Sequence, residues 1–96
     1  MKRDYSLYRL ILRQVRDDTP PPELSDFDER MVTYNSALLV NEHFIEGEVI
    51  RNGSGEYASV VMLNLTSEGH DLLEKLDADH RANATTDLSD IHKPAP

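Results

Sequence analysis

The chain has 96 residues, no cysteine and a formal net charge of -8 at pH 7. A chain this short forms one modest core, and without cysteine it has neither disulfides nor thiolate zinc ligands. Its first residues lack the pattern of a secretory leader and the sequence has no long apolar run, so we expect no leader, no membrane span and a cytoplasmic protein. Residues 1–16 carry five basic side chains and one acid, whereas residues 17–74 carry thirteen acids and two arginines. This acidic middle disfavours nonspecific nucleic-acid binding and favours basic partners.

The first predicted helix begins after Asp4, a good N-cap, and ends near Asp17, because three prolines follow at residues 20–22. Its apolar side chains cover more than half of the circumference. We therefore expect two buried sides, the second facing the strands, the last helix or a second copy in a homodimer. Four basic residues share one narrow stripe: Lys2, Arg9, Arg13 and Arg16. The stripe is interpreted as a solvated face, an internal partner for the acidic surface, or a local phosphate contact.

A second helix is predicted from a cap at Ser25 or Asp26 to about Asn41. Its inward stripe is expected at positions spaced i, i+4, i+7 and i+11, which are Phe27, Met31, Tyr34 and Leu38. The opposite face carries mostly small or polar side chains, including Arg30, Thr33, Ser36 and Ala37. We interpret this opposite face as a contact surface.

Residues 44–51 and 56–65 are rich in strand-forming side chains and flank Asn52-Gly53-Ser54-Gly55, which predicts a β-hairpin. Thr66 then caps a last helix that is expected to reach about Asp79. The buried face of this helix is predicted to comprise Gly69, Leu72, Leu73 and Leu76.

Residues 79–96 hold only two large apolar side chains, Leu88 and Ile91, and cannot form a core alone. The sequence therefore predicts one domain over residues 1–78 and a tail over residues 79–96 that is flexible or ordered by a partner. Leu88 and Ile91 lie three residues apart and are candidates to dock on a partner as one helical turn.

The order helix, helix, hairpin, helix predicts an α+β winged helix whose short middle helix is reduced or missing. The opening Met1-Lys2-Arg3-Asp4, the segment from Tyr34 to Ile45 and the Leu-Thr-Ser-Glu-Gly-His-Asp-Leu-Leu stretch at 65–73 also resemble a known family. It is an uncharacterised family of short phage and prophage winged-helix proteins, and the likeness spans most of residues 1–78. The resemblance implies a fold and a host-cell cytoplasmic setting, but no activity, because fold does not give function.

The chain departs from that family pattern at two positions. Asn35 stands where the family has histidine, and His43 stands where a glycine ends the helix. Glycine is favoured there because the residue after a helix often adopts the left-handed conformation. We therefore expect the helix before His43 to end differently.

Catalytic patterns are absent from the sequence. No two of the four histidines have the i, i+4 spacing of a helical metal site. His70-Asp71 is interpreted as a capping and packing pair, and Gly53-Ser54-Gly55 lacks the strand-to-helix context of a nucleophile turn. We predict no enzyme activity, no catalytic residue, no metal and no cofactor.

Two functions remain open. The favoured one is a non-enzymatic phage-type protein that occupies a host protein or nucleoprotein, by its acidic surface mimicking nucleic acid or steering the encounter. The alternative is a winged-helix DNA-binding regulator, which the acids around the expected reading helix and wing oppose. The predicted partner contacts are Arg30, Thr33, Ser36, Arg51, Asn52, Leu88 and Ile91.

Overall fold

The computed structural model describes the backbone of residues 2–92 and the side chains of residues 2–82. In chain order the elements are α1 Tyr5–Asp17, the 3-10 helix η1 Pro22–Asp26, α2 Glu29–Asn41, β1 Ile45–Arg51, β2 Tyr57–Leu65 and α3 Ser67–His92. The two strands form one antiparallel sheet. The predicted α+β class, with three helices and a hairpin, is confirmed for the part of the chain that the structure describes.

Helix α1 occupies the centre of the core. The Asp4 carboxylate caps it by accepting a hydrogen bond from the Leu7 amide at 3.1 Å, and Asp18 ends it in the left-handed conformation. Both predicted ends are confirmed. Its buried side chains are Leu7, Tyr8, Leu10, Ile11 and Leu12. Helix α2, strand β2 and helix α3 of the same chain all pack on α1, so its burial does not require a second copy.

Helix α2 begins two or three residues later than the second predicted helix. Asp28 is its N-cap and accepts a hydrogen bond from the Arg30 amide at 2.7 Å. The predicted cap at Ser25 or Asp26 is wrong, because residues 22–26 form η1 and Phe27 is extended before α2 starts. Prolines at the start of η1 suit the first turn of a helix, where their missing amide hydrogen is not needed.

The face of α2 with small side chains is a packing face. Asn35, Ser36, Ala37 and Leu39 are buried, whereas the predicted inward stripe of α2 is only partly buried. The expected outward orientation of Ser36 is therefore wrong. The physical reason is that α2 lies between α1 and the hairpin, and short side chains let two backbones approach closely.

The turn from α2 into β1 has the backbone conformation that a glycine would adopt at the end of a helix. His43 adopts φ 66°, in the left-handed region, and the Phe44 amide donates to the Leu39 carbonyl at 2.9 Å. The expectation that His43 makes the helix end differently is wrong. The surrounding hydrogen bonds stabilise a conformation that histidine tolerates at a modest cost.

Helix α3 starts against that turn. Thr66 caps α3 by accepting from the Gly69 amide at 3.0 Å, as predicted, and its hydroxyl donates to the His43 carbonyl at 2.6 Å. A Cβ built on Gly69 would lie 1.9 Å from the Phe44 carbonyl oxygen. The Leu-Thr-x-x-Gly pattern thus combines a cap with the close approach of a helix to a turn.

Helix α3 continues past residue 79, where the predicted tail begins, and its backbone is helical to His92. Its buried positions include Gly69 and Leu73, and Leu72 and Leu76 are partly buried. The division of the chain at residue 78 stays a prediction. The side chains of Leu88 and Ile91 lie outside the described residues. No helix within the described residues is long and apolar enough to cross a membrane.

Candidate partner-binding face

A cleft of about 650 Å³ lies between α2 and the tip of the hairpin. It is lined by Glu29, Arg30, Thr33, Tyr34, Arg51, Gly55, Glu56, Tyr57 and Ala58. The N-terminal half of α2 forms one wall, and the residues that flank the hairpin turn form the other. Three of the predicted contacts, Arg30, Thr33 and Arg51, therefore line one cleft.

Aromatic rings form the middle of this cleft. The ring centroids of Tyr34 and Tyr57 are 5.8 Å apart, and the Arg51 guanidinium carbon lies 4.5 Å from the Tyr57 centroid. Arg51 also donates to the Gly55 carbonyl at 3.0 Å. These contacts anchor Arg51 on its own hairpin and reduce the donors that it offers to a partner.

The hairpin tip uses Asn52 to close the turn. The side-chain oxygen of Asn52 accepts from the amides of Ser54 at 2.8 Å and Glu56 at 3.1 Å. Gly55 follows with φ 80°, a conformation that glycine adopts without strain. Asn52 lies at the exposed tip as predicted, but its carbonyl group has a structural role there.

A second cleft of about 620 Å³ runs along β1 beside the C-terminal half of α2 and shares Arg51 with the first. We call the residues that line these two clefts the α2–hairpin face. Its charged side chains, histidine aside, are Arg30, Arg51, Glu29, Glu46, Glu48 and Glu56. All six are exposed. With four glutamates and two arginines, this face carries net negative charge.

The N-terminus of α2 offers no open anion site. Its cap is the Asp28 carboxylate, which accepts from the Arg30 amide, and Asp26 and Glu29 are exposed beside it. Backbone amides at a helix start otherwise attract phosphate. Here a carboxylate of the chain already occupies that position, so a phosphate would meet like charge.

One side chain predicted to face a partner lies elsewhere. Ser36 is 2% exposed and does not line the α2–hairpin face. Its neighbour Asn35 is fully buried and ties the N-terminal segment to α2. Its side-chain oxygen accepts from the Asp4 amide at 2.9 Å, and its side-chain nitrogen donates to the Met31 carbonyl at 2.9 Å.

Two of the four residues of the basic stripe are ion-paired within the described part of the chain. Arg9 lies 3.5 Å from the Asp77 carboxylate, and Arg16 lies 2.7 Å from Asp17 and 4.0 Å from Asp77. The hydrogen bond from Arg16 lowers the pKa of Asp17. Of the three interpretations of the stripe, an internal partner for acidic side chains accounts for Arg9 and Arg16. The phosphate-contact interpretation, which includes Lys2 and Arg13, stays a prediction.

A polar cluster at the start of α1 was not predicted. The Tyr8 hydroxyl donates to Glu42 at 2.8 Å and accepts from the Arg3 Nε at 3.1 Å, and Arg3 is also ion-paired with Glu42. Burial, together with the Glu42 contact, raises the pKa of Tyr8. The cluster was missed because Glu42 lies 34 residues from Tyr8 in the sequence. The only local sign of it was the polar hydroxyl of Tyr8 within the apolar face of a helix.

Among the residues that the structure describes, no group of three or more His, Asp or Glu side chains is arranged to hold a metal ion. His43, His70 and His80 are exposed.

Fold and geometry define a small α+β domain with a face of net negative charge formed by a helix and a hairpin. The chain belongs to a family of unknown function described as "Hypothetical protein (DUF2513)", which matches residues 2–89. This confirms the resemblance to an uncharacterised family, while the phage setting stays a prediction. No curated protein and no solved structure matches the chain.

Proposed function

We propose that this chain is a non-enzymatic binding protein of winged-helix type that occupies a basic surface of a host protein or nucleoprotein. The α2–hairpin face is its contact surface, and the host-cell cytoplasm of a phage or prophage is its setting. The observation that carries the proposal is the charge of this face, on which four exposed glutamates outnumber two arginines.

The glutamates of this face lie on the elements that a DNA-binding winged helix turns toward DNA. In a DNA-binding winged helix, a reading helix and the hairpin face the phosphates. Here Glu46, Glu48 and Glu56 lie on the hairpin, and Arg51 stacks on Tyr57. Each carboxylate near a phosphate opposes binding, because it releases no counterions and adds repulsion. The same carboxylates attract lysine and arginine side chains of a basic partner.

The aromatic rings in the cleft support a protein contact. Tyr34 and Tyr57 are partly exposed and line the cleft with Glu29 and Glu56, and Arg51 of the chain already stacks on the Tyr57 ring. A ring face next to a carboxylate suits a cationic side chain, which gains both a cation–π and an ionic contact. Tyrosines are also common anchors of protein interfaces. A lysine or arginine of the partner is therefore expected to contact Tyr34 in this cleft.

A DNA-binding regulator is the second candidate. It is favoured by the arrangement of Arg30 and Thr33 on α2 beside Arg51 on the hairpin, all lining one cleft. These side chains are of the types that contact bases and phosphates. The two candidates differ in the response to charge, because added positive charge on the face strengthens DNA binding and weakens binding of a basic partner.

The test is affinity capture from host lysate with the full chain, with and without nuclease. We compare the double variant Glu46→Lys, Glu48→Lys with the control Glu68→Lys, Glu74→Lys, which makes the same charge change at exposed positions of α3. A protein that survives nuclease is expected with the natural chain and with the control. The hairpin variant is expected to reduce its affinity by roughly tenfold or more, in line with charge pairs at interfaces.

Two results would contradict the proposal. The first is recovery of DNA alone, with every partner lost after nuclease. The second is stronger capture by Glu46→Lys, Glu48→Lys. Either result selects the DNA-binding regulator. An equal loss in the α3 control would show that overall charge, and not the α2–hairpin face, carries the binding.

A further inference from the structure

A third cleft, of about 550 Å³, lies between the N-terminal half of α1 and α3. We call it the α1–α3 cleft. It shares no lining residue with the two clefts of the α2–hairpin face. Its volume falls in the range of small-molecule sites, about 300–1,000 Å³. This cleft therefore has its own chemistry and is independent of the function proposed above.

The floor of the α1–α3 cleft is apolar and partly open. Phe44, Leu72 and Leu76 pack against the core and are partly buried, so each still presents surface to the cleft. Tyr5 stands at the rim with 56% of its surface exposed, and its ring meets Tyr8 edge-on at a centroid distance of 5.5 Å. An exposed aromatic ring beside aliphatic side chains forms a surface that favours a flat or aliphatic ligand.

The charge of this cleft differs from that of the rest of the chain. Its lining includes Arg3, Arg9 and Lys75, with His80 beside them, against two carboxylates, Glu42 and Asp79. The whole chain, by contrast, has a net charge of -8. In a molecule that repels anions over most of its surface, the α1–α3 cleft is a local site where an anion meets more cations than acids.

Lys75 is the cation most open to a ligand. Arg3 is ion-paired with Glu42, and Arg9 lies 3.5 Å from Asp77. The exposed Lys75 ammonium forms no ion pair with residues 2–82. It lies one residue before Leu76, which forms part of the apolar floor. A ligand that rests on this floor thus places an anionic group within reach of the ammonium.

We propose that the α1–α3 cleft binds a small amphipathic acid. Its aliphatic or aromatic body lies on Phe44, Leu72 and Leu76 beneath Tyr5, and its carboxylate or sulfonate pairs with Lys75. A small molecule fits better than a protein segment, because twelve residues line the cleft, whereas a protein interface takes about 20–30 residues on each side.

The test uses two fluorescent probes with the full chain. The anionic probe is 8-anilinonaphthalene-1-sulfonate, and its matched uncharged probe is N-phenyl-1-naphthylamine, which lacks the sulfonate. Saturable binding of both probes is expected. Lys75→Glu is expected to weaken binding of the sulfonate probe by about five- to tenfold, because it replaces the attraction of one exposed ion pair by a repulsion of similar size. The same variant is expected to leave binding of the uncharged probe unchanged.

Arg81→Glu is the matched control, because it makes the same charge change at an exposed position of α3 that does not line the cleft. It is expected to leave binding of both probes unchanged. Tyr5→Ser removes the exposed ring and is expected to weaken binding of both probes. A cooperative thermal transition in each variant checks that the fold is retained. If Tyr5→Ser does not fold, the comparison of Lys75→Glu with Arg81→Glu still decides.

Backbone amide shifts in a nitrogen-15 spectrum give the location, with the largest changes expected at Phe44, Leu72, Lys75 and Leu76. The proposal is overturned if the folded natural chain gives no saturable signal with the sulfonate probe. It is equally overturned if Arg81→Glu weakens binding of that probe as much as Lys75→Glu does, or if the shifted amides lie on the hairpin.

Discussion

Helix α1 and the hairpin differ in how far they bury the same types of apolar side chain. Leu12 on α1 is fully buried, whereas Leu63 on β2 is 65% exposed. Ile11 is fully buried, and Ile50 and Val61 on the strands are each 44% exposed. The free energy of folding is therefore concentrated around α1, and the hairpin carries surface that can change without loss of the core.

Polar groups follow the same division. Around α1 and α2, Asn35 and Tyr8 are buried and hydrogen-bonded, and no buried side-chain nitrogen or oxygen of the described residues lacks a partner. On the hairpin, Glu46 and Glu48 are exposed, and neither forms an ion pair among residues 2–82. Satisfied polar groups specify a fold, whereas unpaired surface charges remain available to a partner.

The largest expected effect comes from one leucine in each region. Leu12→Ala removes a fully buried side chain and is expected to lower the free energy of unfolding by about 3 kcal/mol, within the range for buried leucines. Leu63→Ala changes an exposed side chain and is expected to cost less than about 0.5 kcal/mol. Urea unfolding of both variants measures the difference. Equal costs would contradict the division between the two regions.

A glycine pair should give the next largest effect. The added Cβ of Gly69→Ala meets the Phe44 carbonyl, and we expect a loss of about 2 kcal/mol, typical of overpacking. At Gly53, on the hairpin tip, a Cβ meets no atom within 4 Å. Gly53→Ala is therefore the control, with an expected change within about 0.5 kcal/mol. Thermal unfolding compares the two, and an unaffected Gly69→Ala would show that α3 does not depend on this close approach.

The smallest expected effect depends on pH. Tyr8→Phe removes the hydrogen bond to Glu42 and is expected to cost about 1 kcal/mol at pH 7. The pKa of Tyr8 is raised in the folded chain. The stabilisation from the Tyr8 hydroxyl is therefore complete below the ordinary tyrosine pKa of about 10 and is lost as the pH rises above that value. Urea unfolding between about pH 8 and pH 11 should therefore show a shallower alkaline loss of stability in Tyr8→Phe than in the natural chain.

Tyr57→Phe is the matched variant for that measurement, because it removes a tyrosine hydroxyl from the hairpin. An alkaline loss of stability that is reduced as much by Tyr57→Phe as by Tyr8→Phe would show that the buried Tyr8 cluster is not its source.

Features that depend on neighbouring residues were predictable. The cap at Asp4, the end of α1 before three prolines, the hairpin around Gly53 and the cap at Thr66 all match their predictions. Each of these features follows from the conformations that a few adjacent residues allow. The same reasoning placed Arg30, Thr33 and Arg51 on the candidate face.

Features that depend on distant partners were not predictable. The sequence alone determined the α+β class, the positions of most helix ends and the uneven charge, because periodicity and turn chemistry are local. Only the tertiary structure decided that Ser36 and Asn35 are buried, that His43 adopts the left-handed conformation, and that Tyr8 meets Glu42. These outcomes depend on which backbones approach α1 and α2, and contacts between residues more than thirty positions apart leave no periodic signal in the chain.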